Sequence, residues 1–287
     1  MAFQLTVSRY FTTQDDVKLH YIDCGSGTPI VMLPAWSQSV EEFKYQIEAL
    51  QHDYRMIALD MRGHGLSEQV EYGYRIPRLA KDLYELICFL ELEDIVLVGH
   101  AMGSAVMLCF WDLFGEALLS KLVMVDMPPV LVSNPIWSPL EMHSYGPLVD
   151  PMNVLDVMNV IKSCEGDKYR QTVLKCMLSQ DICPEKRQSV LQSRLKFPLK
   201  QAAKLFYSNY HQDWRDLFPR ITLPCLVVSG RASLTAWRSQ QWIAEQLPQS
   251  KIVYFEEHEG GKHFMFFENP FRFNRILHDF IQSDSVA

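Results

Sequence analysis

The chain has 287 residues, of which 48% are apolar and 21% charged, and its formal net charge is −7. This length and apolar content suit one large domain, or one domain that carries an inserted subdomain. The acidic balance argues against binding nucleic acid through a basic surface. The seven cysteines are odd in number and lack CxxC spacing, which predicts buried thiols in a reducing compartment rather than a metal site.

No stretch of the sequence predicts a membrane segment or a secretion signal. No apolar run is long enough to span a bilayer, and residues 1–10 lack the basic and long apolar regions of a signal peptide. We therefore expect a cytoplasmic protein with no membrane span. We also expect neither a metal nor a cofactor, and the sequence does not indicate an oligomeric state.

Short apolar runs recur along the chain as predicted strands. The first two show partial alternation and predict an antiparallel start, whereas the third is continuously apolar, as in a strand buried on both faces. The predicted strands are Gln4–Tyr10, Lys18–Cys24, Pro29–Ala35, Arg55–Met61, Ile95–Val98, Leu122–Val125, Pro224–Ser229 and Lys251–Phe255.

Segments with helical spacing of apolar residues separate most of these strands. They are Glu41–Leu50, Pro77–Leu92, a helix from just after Ala101 to about Phe114, Ser239–Leu247 and Pro270–Ile281. Alternating strands and helices predict an α/β fold with a mostly parallel, twisted sheet, right-handed crossovers and flanking helices.

About ninety residues in the middle of the chain break this alternation. Four helical segments occur there without a clear strand: Val154–Ile161, Tyr169–Leu178, Lys186–Leu195 and Lys200–Tyr207. We predict a core domain formed by residues 1–129 and 220–287, and an inserted helical cap formed by residues 130–219. A cap over the strand ends would enclose the cleft where such sheets bind ligands, and its many apolar side chains predict a hydrophobic small-molecule substrate.

The segment Val98–Ser104 reads VGHAMGS and lies between a predicted strand and a predicted helix. This is the context of the G-x-S-x-G nucleophile elbow, in which small flanking residues allow a tight turn. Gly99 and Gly103 meet that need. The position of the nucleophile, however, is occupied by Ala101, whose methyl group cannot attack a substrate.

Three further segments accompany the elbow in a recognisable order. LPAW (Leu33–Trp36) follows the third strand, DMRGHGLS spans Asp60–Ser67, and His263 lies in GGKHFMFFENP after the last strand. Together these segments resemble the α/β-hydrolase superfamily from about Lys18 to Phe280. The resemblance implies the α/β-hydrolase fold and a serine hydrolase type of site.

The sequence departs from the pattern of that family at three places. Pro34–Ala35 replaces the usual HG of the oxyanion loop, Ala101 replaces the serine, and the turn after strand seven reads GRAS without its usual aspartate. The resemblance to haloalkane dehalogenases and zearalenone-type lactonases, which carry the acid after strand six, indicates Asp126 instead.

The resemblance assigns roles to these positions. Position 101 would hold the nucleophile, His263 would be the general base, and Asp126 would orient the imidazole. The backbone N–H groups of Trp36 and Met102 are the expected oxyanion donors.

Two explanations account for Ala101. Either serine was replaced by alanine to give an inactive variant that retains its ligand, or the chain is a natural non-hydrolase on this scaffold. We favour the replacement, because the base, the candidate acid and the tight glycines of the motif are all present.

Three functions from different classes are compatible with this site. The first is a serine hydrolase for a carboxylic ester, lactone or thioester with a hydrophobic body. The second is a cofactor-free ring-cleaving dioxygenase of the 3-hydroxy-4-oxoquinoline type, which the chain resembles in Trp36, the RGHGLS segment and the His–Asp pair. The third is a module that binds a small ligand without turnover, which requires that Ala101 is native.

Overall fold

The computed structural model describes residues 8–283, apart from the side chains of residues 194 and 195. Within that range the chain forms one eight-stranded sheet in the order β1-β2-β4-β3-β5-β6-β7-β8. The strands are β1 Ser8–Thr12, β2 Lys18–Cys24, β3 Pro29–Leu33, β4 Arg55–Leu59, β5 Ile95–His100, β6 Leu119–Val125, β7 Cys225–Gly230 and β8 Ser250–Phe255. Pairing is antiparallel between β1 and β2 and between β2 and β4, and parallel elsewhere.

All the predicted helical segments are present, together with two helices that were not predicted. They are α1 Lys44–Leu50, α2 Ile76–Phe89, α3 Met102–Phe114, α4 Pro139–Tyr145, α5 Val154–Lys162, α6 Gly166–Met177, α7 Pro184–Lys196, α8 Leu199–Tyr210, α9 Trp237–Gln246, α10 Met265–Glu268 and α11 Pro270–Gln282. Among the described residues, no helix is both long enough and apolar enough to cross a membrane.

Side chains of the central strands alternate between two hydrophobic cores. Val31 and Leu33 of β3 face one core with α2, α3 and α9, whereas Ile30 and Met32 face the other with α1 and α11. The continuous apolar run of β3 therefore reflects burial on both faces of a parallel sheet. This arrangement confirms the predicted α/β-hydrolase fold class.

The parallel strands bring their carboxyl ends to one edge of the sheet. β3 ends at Leu33, β5 at His100, β6 at Val125 and β7 at Gly230. Because β3, β5, β6 and β7 are neighbours, the loops that leave them meet above that edge.

Five helices, α4–α8, connect β6 to β7. The two ends of this connection approach each other, since the backbone N–H of Trp214 donates to the carbonyl of Pro129 at 3.0 Å, and Val130 forms an isolated bridge with Asp213. The helical content of residues 130–219 agrees with the predicted segment, and its role as a cap stays a prediction.

Several element boundaries differ from the prediction. The predicted helix Glu41–Leu50 divides into a 3₁₀ turn, Val40–Phe43, and α1, because the tighter turn buries the side chains of Val40, Glu42 and Phe43 together. β1 extends to Thr12, which pairs with Lys18. Residues 4–7 of the first predicted strand lie outside the described residues.

Two helices were not predicted. α4 buries none of its residues and so lacks the apolar stripe that the prediction used, although Ser138 and Glu141 form a capping box at its start. α10 has only four residues, Met265–Glu268, which is too short to show a helical period.

Close packing of α3 on β3 yields a test of the fold. A Cβ at Gly103 would lie 2.1 Å from the carbonyl oxygen of Leu33, whereas one at Gly115 would meet no atom within 4 Å. We expect Gly103→Ala to lower Tm by roughly 3–10 °C in thermal denaturation, because either α3 or β3 must shift. Gly115→Ala is not a neutral comparison, because its φ of 74° and ψ of −167° are nearly restricted to glycine and cost an alanine roughly 1–3 kcal/mol. The control is Leu113→Ala on the exposed face of α3, which should change Tm by less than about 2 °C. An equal or larger loss at Leu113 would contradict this account.

Candidate active site

A sharp turn joins β5 to α3 at Ala101. The residue has φ 47° and ψ −116°, a conformation that costs an L-residue roughly 1–3 kcal/mol. Backbone hydrogen bonds hold the turn: the N–H of Ala101 donates to Val125 at 2.9 Å, and the N–H of Ser104 donates to Ala101 at 2.9 Å. The site thus has the strained backbone of a nucleophile elbow but carries a methyl group at its tip.

His263 and Asp126 meet beside this turn. The Nδ1 of His263 lies 2.6 Å from Oδ2 of Asp126, and both residues are buried. Asp126 follows β6 with φ 54°, and its N–H donates to the carbonyl of Val228 in β7 at 3.0 Å. A carboxylate can only accept, so Nδ1 carries the proton of this hydrogen bond, which fixes the imidazole tautomer.

The turn after β7 contacts the aspartate rather than the histidine. Ser233 Oγ donates to Oδ2 of Asp126 at 2.5 Å, and the N–H of Gly230 lies 3.5 Å from Oδ1. Thr235 Oγ1 donates to the backbone carbonyl of Asp126 at 3.4 Å. In the sequence, Ser233 occupies the position where the family usually has an aspartate. In the structure, Ser233 positions the carboxylate of Asp126, which is hydrogen-bonded to His263.

The two expected oxyanion donors come from different elements. Met102 is the first residue of α3, where backbone N–H groups have no partner within the helix. Trp36 follows β3, and its indole Nε1 donates to the carbonyl of Ala202 in α8 at 3.0 Å. Trp36, Met102, Ala101, Asp126 and His263 all line one cavity.

His64 fixes the loop that carries Trp36. The Nδ1 of His64 lies 3.0 Å from the carbonyl of Arg62, and its Nε2 accepts from the N–H of Ser37 at 3.2 Å. Burial lowers the pKa of His64 to about 4, so the ring is neutral at pH 7 and keeps the lone pair that Ser37 needs. His64 thus joins its own loop to the loop after β3.

His100 and Glu42 form a buried pair that the sequence did not reveal. His100 Nε2 lies 3.0 Å from the carbonyl of His263, and its Nδ1 lies 3.1 Å from Oε1 of Glu42, which also accepts from the N–H of Ala35. A carbonyl can only accept, so Nε2 carries the proton of its hydrogen bond to His263. These contacts join the loops of Ala35, Ala101 and His263.

The rest of the cavity wall is mainly apolar. It includes Leu131, Leu148, Val173, Met177 and Phe206, which belong to the connection between β6 and β7. Among residues 8–283, no group of three or more His, Cys, Asp or Glu side chains could hold a metal ion. The cavity wall therefore offers mainly apolar contacts.

The burial of His64 predicts how the free energy of unfolding depends on pH. Its folded pKa of about 4 lies below the ordinary 6.5, so the unfolded chain binds the proton first and stability falls as pH decreases from about 6.5 to about 4. His100 contributes in the same direction, because burial lowers its pKa to about 4. We expect His64→Gln to reduce the pH dependence by up to roughly 3 kcal/mol across this window, measured by urea unfolding at several pH values.

The exposed histidine His52 provides the control. His52→Gln should retain the pH dependence of the unmodified chain. If His64→Gln and the unmodified chain lose stability in parallel on acidification, His64 is not the neutral buried group described above.

Comparison with known proteins agrees with this architecture. The model of the alpha/beta hydrolase family matches residues 30–276. The AB hydrolase superfamily protein YisY of Bacillus subtilis (strain 168) is 25% identical over 281 residues, which are 96% of this chain and 100% of that protein. Other relatives are named as non-heme haloperoxidases and epoxide hydrolases.

Solved structures resemble the whole chain. An esterase (EaEST) from Exiguobacterium antarcticum superposes with a TM-score of 0.86 at 23% identity, and a bromoperoxidase from Bacillus anthracis with a TM-score of 0.86 at 22% identity. In each case the match covers 96% of this chain and 100% of the other. At identities of 22% and 23%, these structures show a shared fold. Membership of a family rests on the family model, which matches most of the sequence. The chain therefore belongs to the alpha/beta hydrolase family.

Proposed function

We propose that this site is that of a hydrolase for a carboxylic ester, lactone or thioester with a hydrophobic body, and that Ala101 removes its covalent step. The hydrogen bond of 2.6 Å between His263 Nδ1 and Asp126 Oδ2 carries this proposal, because it prepares a general base in the cavity that Ala101 also lines. The apolar wall supports a hydrophobic substrate.

With serine at position 101, the reaction follows from the positions of these groups. His263 Nε2 takes the hydroxyl proton as Oγ bonds to the substrate carbonyl carbon, and Asp126 stabilises the imidazolium through Nδ1–H. The backbone N–H groups of Trp36 and Met102 stabilise the tetrahedral oxyanion, at about 3 kcal/mol for each donor. The imidazolium then gives its proton to the leaving oxygen or sulfur, and water hydrolyses the acyl-enzyme by the same route.

With alanine at position 101, no acyl-enzyme forms. The cavity, the oxyanion donors and the His–Asp pair still favour binding, so the chain holds its substrate without rapid turnover. Replacement of a serine also explains why Ala101 keeps φ 47°, since a residue without a catalytic group gains nothing from that strain. We propose that helices α4–α8 act as the cap that encloses the substrate, and that their apolar side chains select its hydrophobic body.

A second function is favoured by the same methyl group. Without a serine hydroxyl, the His263–Asp126 pair can take a proton directly from a bound ligand, as the ring-cleaving dioxygenase reaction requires. In that reaction the deprotonated heterocycle reacts with dioxygen, which is the co-reactant. Consumption of dioxygen by the unmodified chain with a 3-hydroxy-4-oxoquinoline would favour this function over ester hydrolysis.

The first test restores the missing hydroxyl. We expect Ala101→Ser to hydrolyse short p-nitrophenyl esters with a burst of p-nitrophenol, because the base and oxyanion donors surround the new Oγ. The control is the double variant Ala101→Ser, His263→Ala, which should show no burst. A folded single variant without burst or turnover would disprove the serine hydrolase proposal.

The second test separates Asp126 from Ser233 in the serine form. Asp126→Asn should lower kcat by roughly 10⁴-fold with the fold intact, because an amide at this position favours the wrong imidazole tautomer. Ser233→Ala should change kcat by less than about tenfold, since the carboxylate remains bonded to the histidine. A nearly unchanged rate in Asp126→Asn would mean that this aspartate is structural.

A further inference from the structure

Two carboxamide side chains interrupt the apolar wall of the cavity. Gln38 lies in the loop after β3 and is 1% exposed, and Asn209 lies in α8 and is 5% exposed. One belongs to the sheet side of the cavity and the other to the helices between β6 and β7. Both are therefore placed to contact a ligand that fills the space between them.

These amides differ from other polar groups of the wall in their hydrogen bonds. Trp36 Nε1 donates to Ala202, and Thr235 Oγ1 donates to Asp126. In contrast, Oε1 and Nε2 of Gln38 and Oδ1 of Asn209 have no hydrogen-bond partner among the described residues. Leaving a buried polar atom unpaired is unfavourable, so a ligand that pairs with these atoms gains binding free energy.

The surrounding structure fixes where the two amides are. The N–H of Gln38 donates to the carbonyl of Ala35 at 3.0 Å, in the loop that His64 anchors through Ser37. Asn209 belongs to α8, as do Phe206 and Tyr210, whose stacked rings have centroids 3.8 Å apart. The backbones of Gln38 and Asn209 are therefore held by their own elements, and both residues contribute to the wall of the cavity.

We propose that Gln38 and Asn209 form a polar subsite for an amide or hydroxyl group of the substrate. An N–H or O–H of the substrate donates to Oδ1 of Asn209 or Oε1 of Gln38, and an oxygen of the substrate accepts from Nε2 of Gln38. The inference rests on the proposed function and narrows its substrate class to hydrophobic esters, lactones or thioesters that carry such a group away from the reacting carbonyl. A plain hydrocarbon chain would leave both amides unpaired.

Binding of a matched pair of esters to the unmodified chain tests the subsite. Methyl N-hexanoylglycinate and methyl nonanoate have chains of equal length, and only the first carries an amide. Isothermal titration calorimetry should give a Kd at least about tenfold lower for the amide, because sites built on hydrogen bonds discriminate strongly against analogues that lack them. Equal affinities, or binding of neither ester, would overturn the proposal.

Variants test which residues cause the preference for the ester that carries an amide. Gln38→Met and Asn209→Leu should each reduce the ratio of the two Kd values by at least about threefold, whereas Gln241→Leu, on the exposed face of α9, should preserve it. Thermal denaturation gives an independent measurement: Gln38→Met should keep or raise Tm, because a polar group without a partner is replaced by an apolar one. A lower Tm, or a preference retained in Gln38→Met, would show that Gln38 has a structural role instead.

The comparison of the two Kd values is independent of hydrolysis, because the unmodified chain has Ala101 in place of the serine. A preference for the amide together with an inactive Ala101→Ser variant would disprove the proposed function and leave the subsite supported. An active Ala101→Ser variant that binds both esters equally would support the function and disprove the subsite.

Discussion

The hydrogen bond between His263 and Asp126 joins parts of the chain that are 137 residues apart, and the fold serves to bring them together. Asp126 lies at the end of β6, inside the sheet, where its backbone is tied to β7. His263 lies beyond β8, an edge strand, on a loop that must return past β7 to reach Asp126. The parallel order of the strands makes this possible, because it directs the ends of β5, β6 and β7 to the same edge.

A second layer of buried polar contacts keeps that loop in place. The carbonyl of His263 accepts from His100, which in turn contacts Glu42, and Glu42 accepts from the N–H of Ala35. Each group lies in a region of low dielectric, where an unpaired partner would be costly. The loops that carry His263, Ala101 and Ala35 are therefore linked by one chain of hydrogen bonds, and none can move alone without breaking it.

The sequence was sufficient to locate the strands along the chain. The residues that it singled out line one cavity, and their roles stay predictions. Buried strands are recognised by continuous apolar runs, and the elbow by its small residues, because both patterns arise from local packing. The Glu42–His100 pair could not be predicted, since 58 residues separate its members and only the packed sheet brings them together. The bond from Ser233 to Asp126 was missed for the same reason, and α4 because an exposed helix shows no apolar stripe.

The indole of Trp36 connects the loop after β3 to helix α8. Its bond to the carbonyl of Ala202 ties the loop after β3 to α8, and its ring packs against Phe206 with centroids 5.8 Å apart. Displacement of α8 away from the sheet would break this bond and separate the two rings. The position of α8 and the position of the Trp36 side chain are thus mechanically coupled, so that a shift of the helices between β6 and β7 is transmitted to the edge of the sheet.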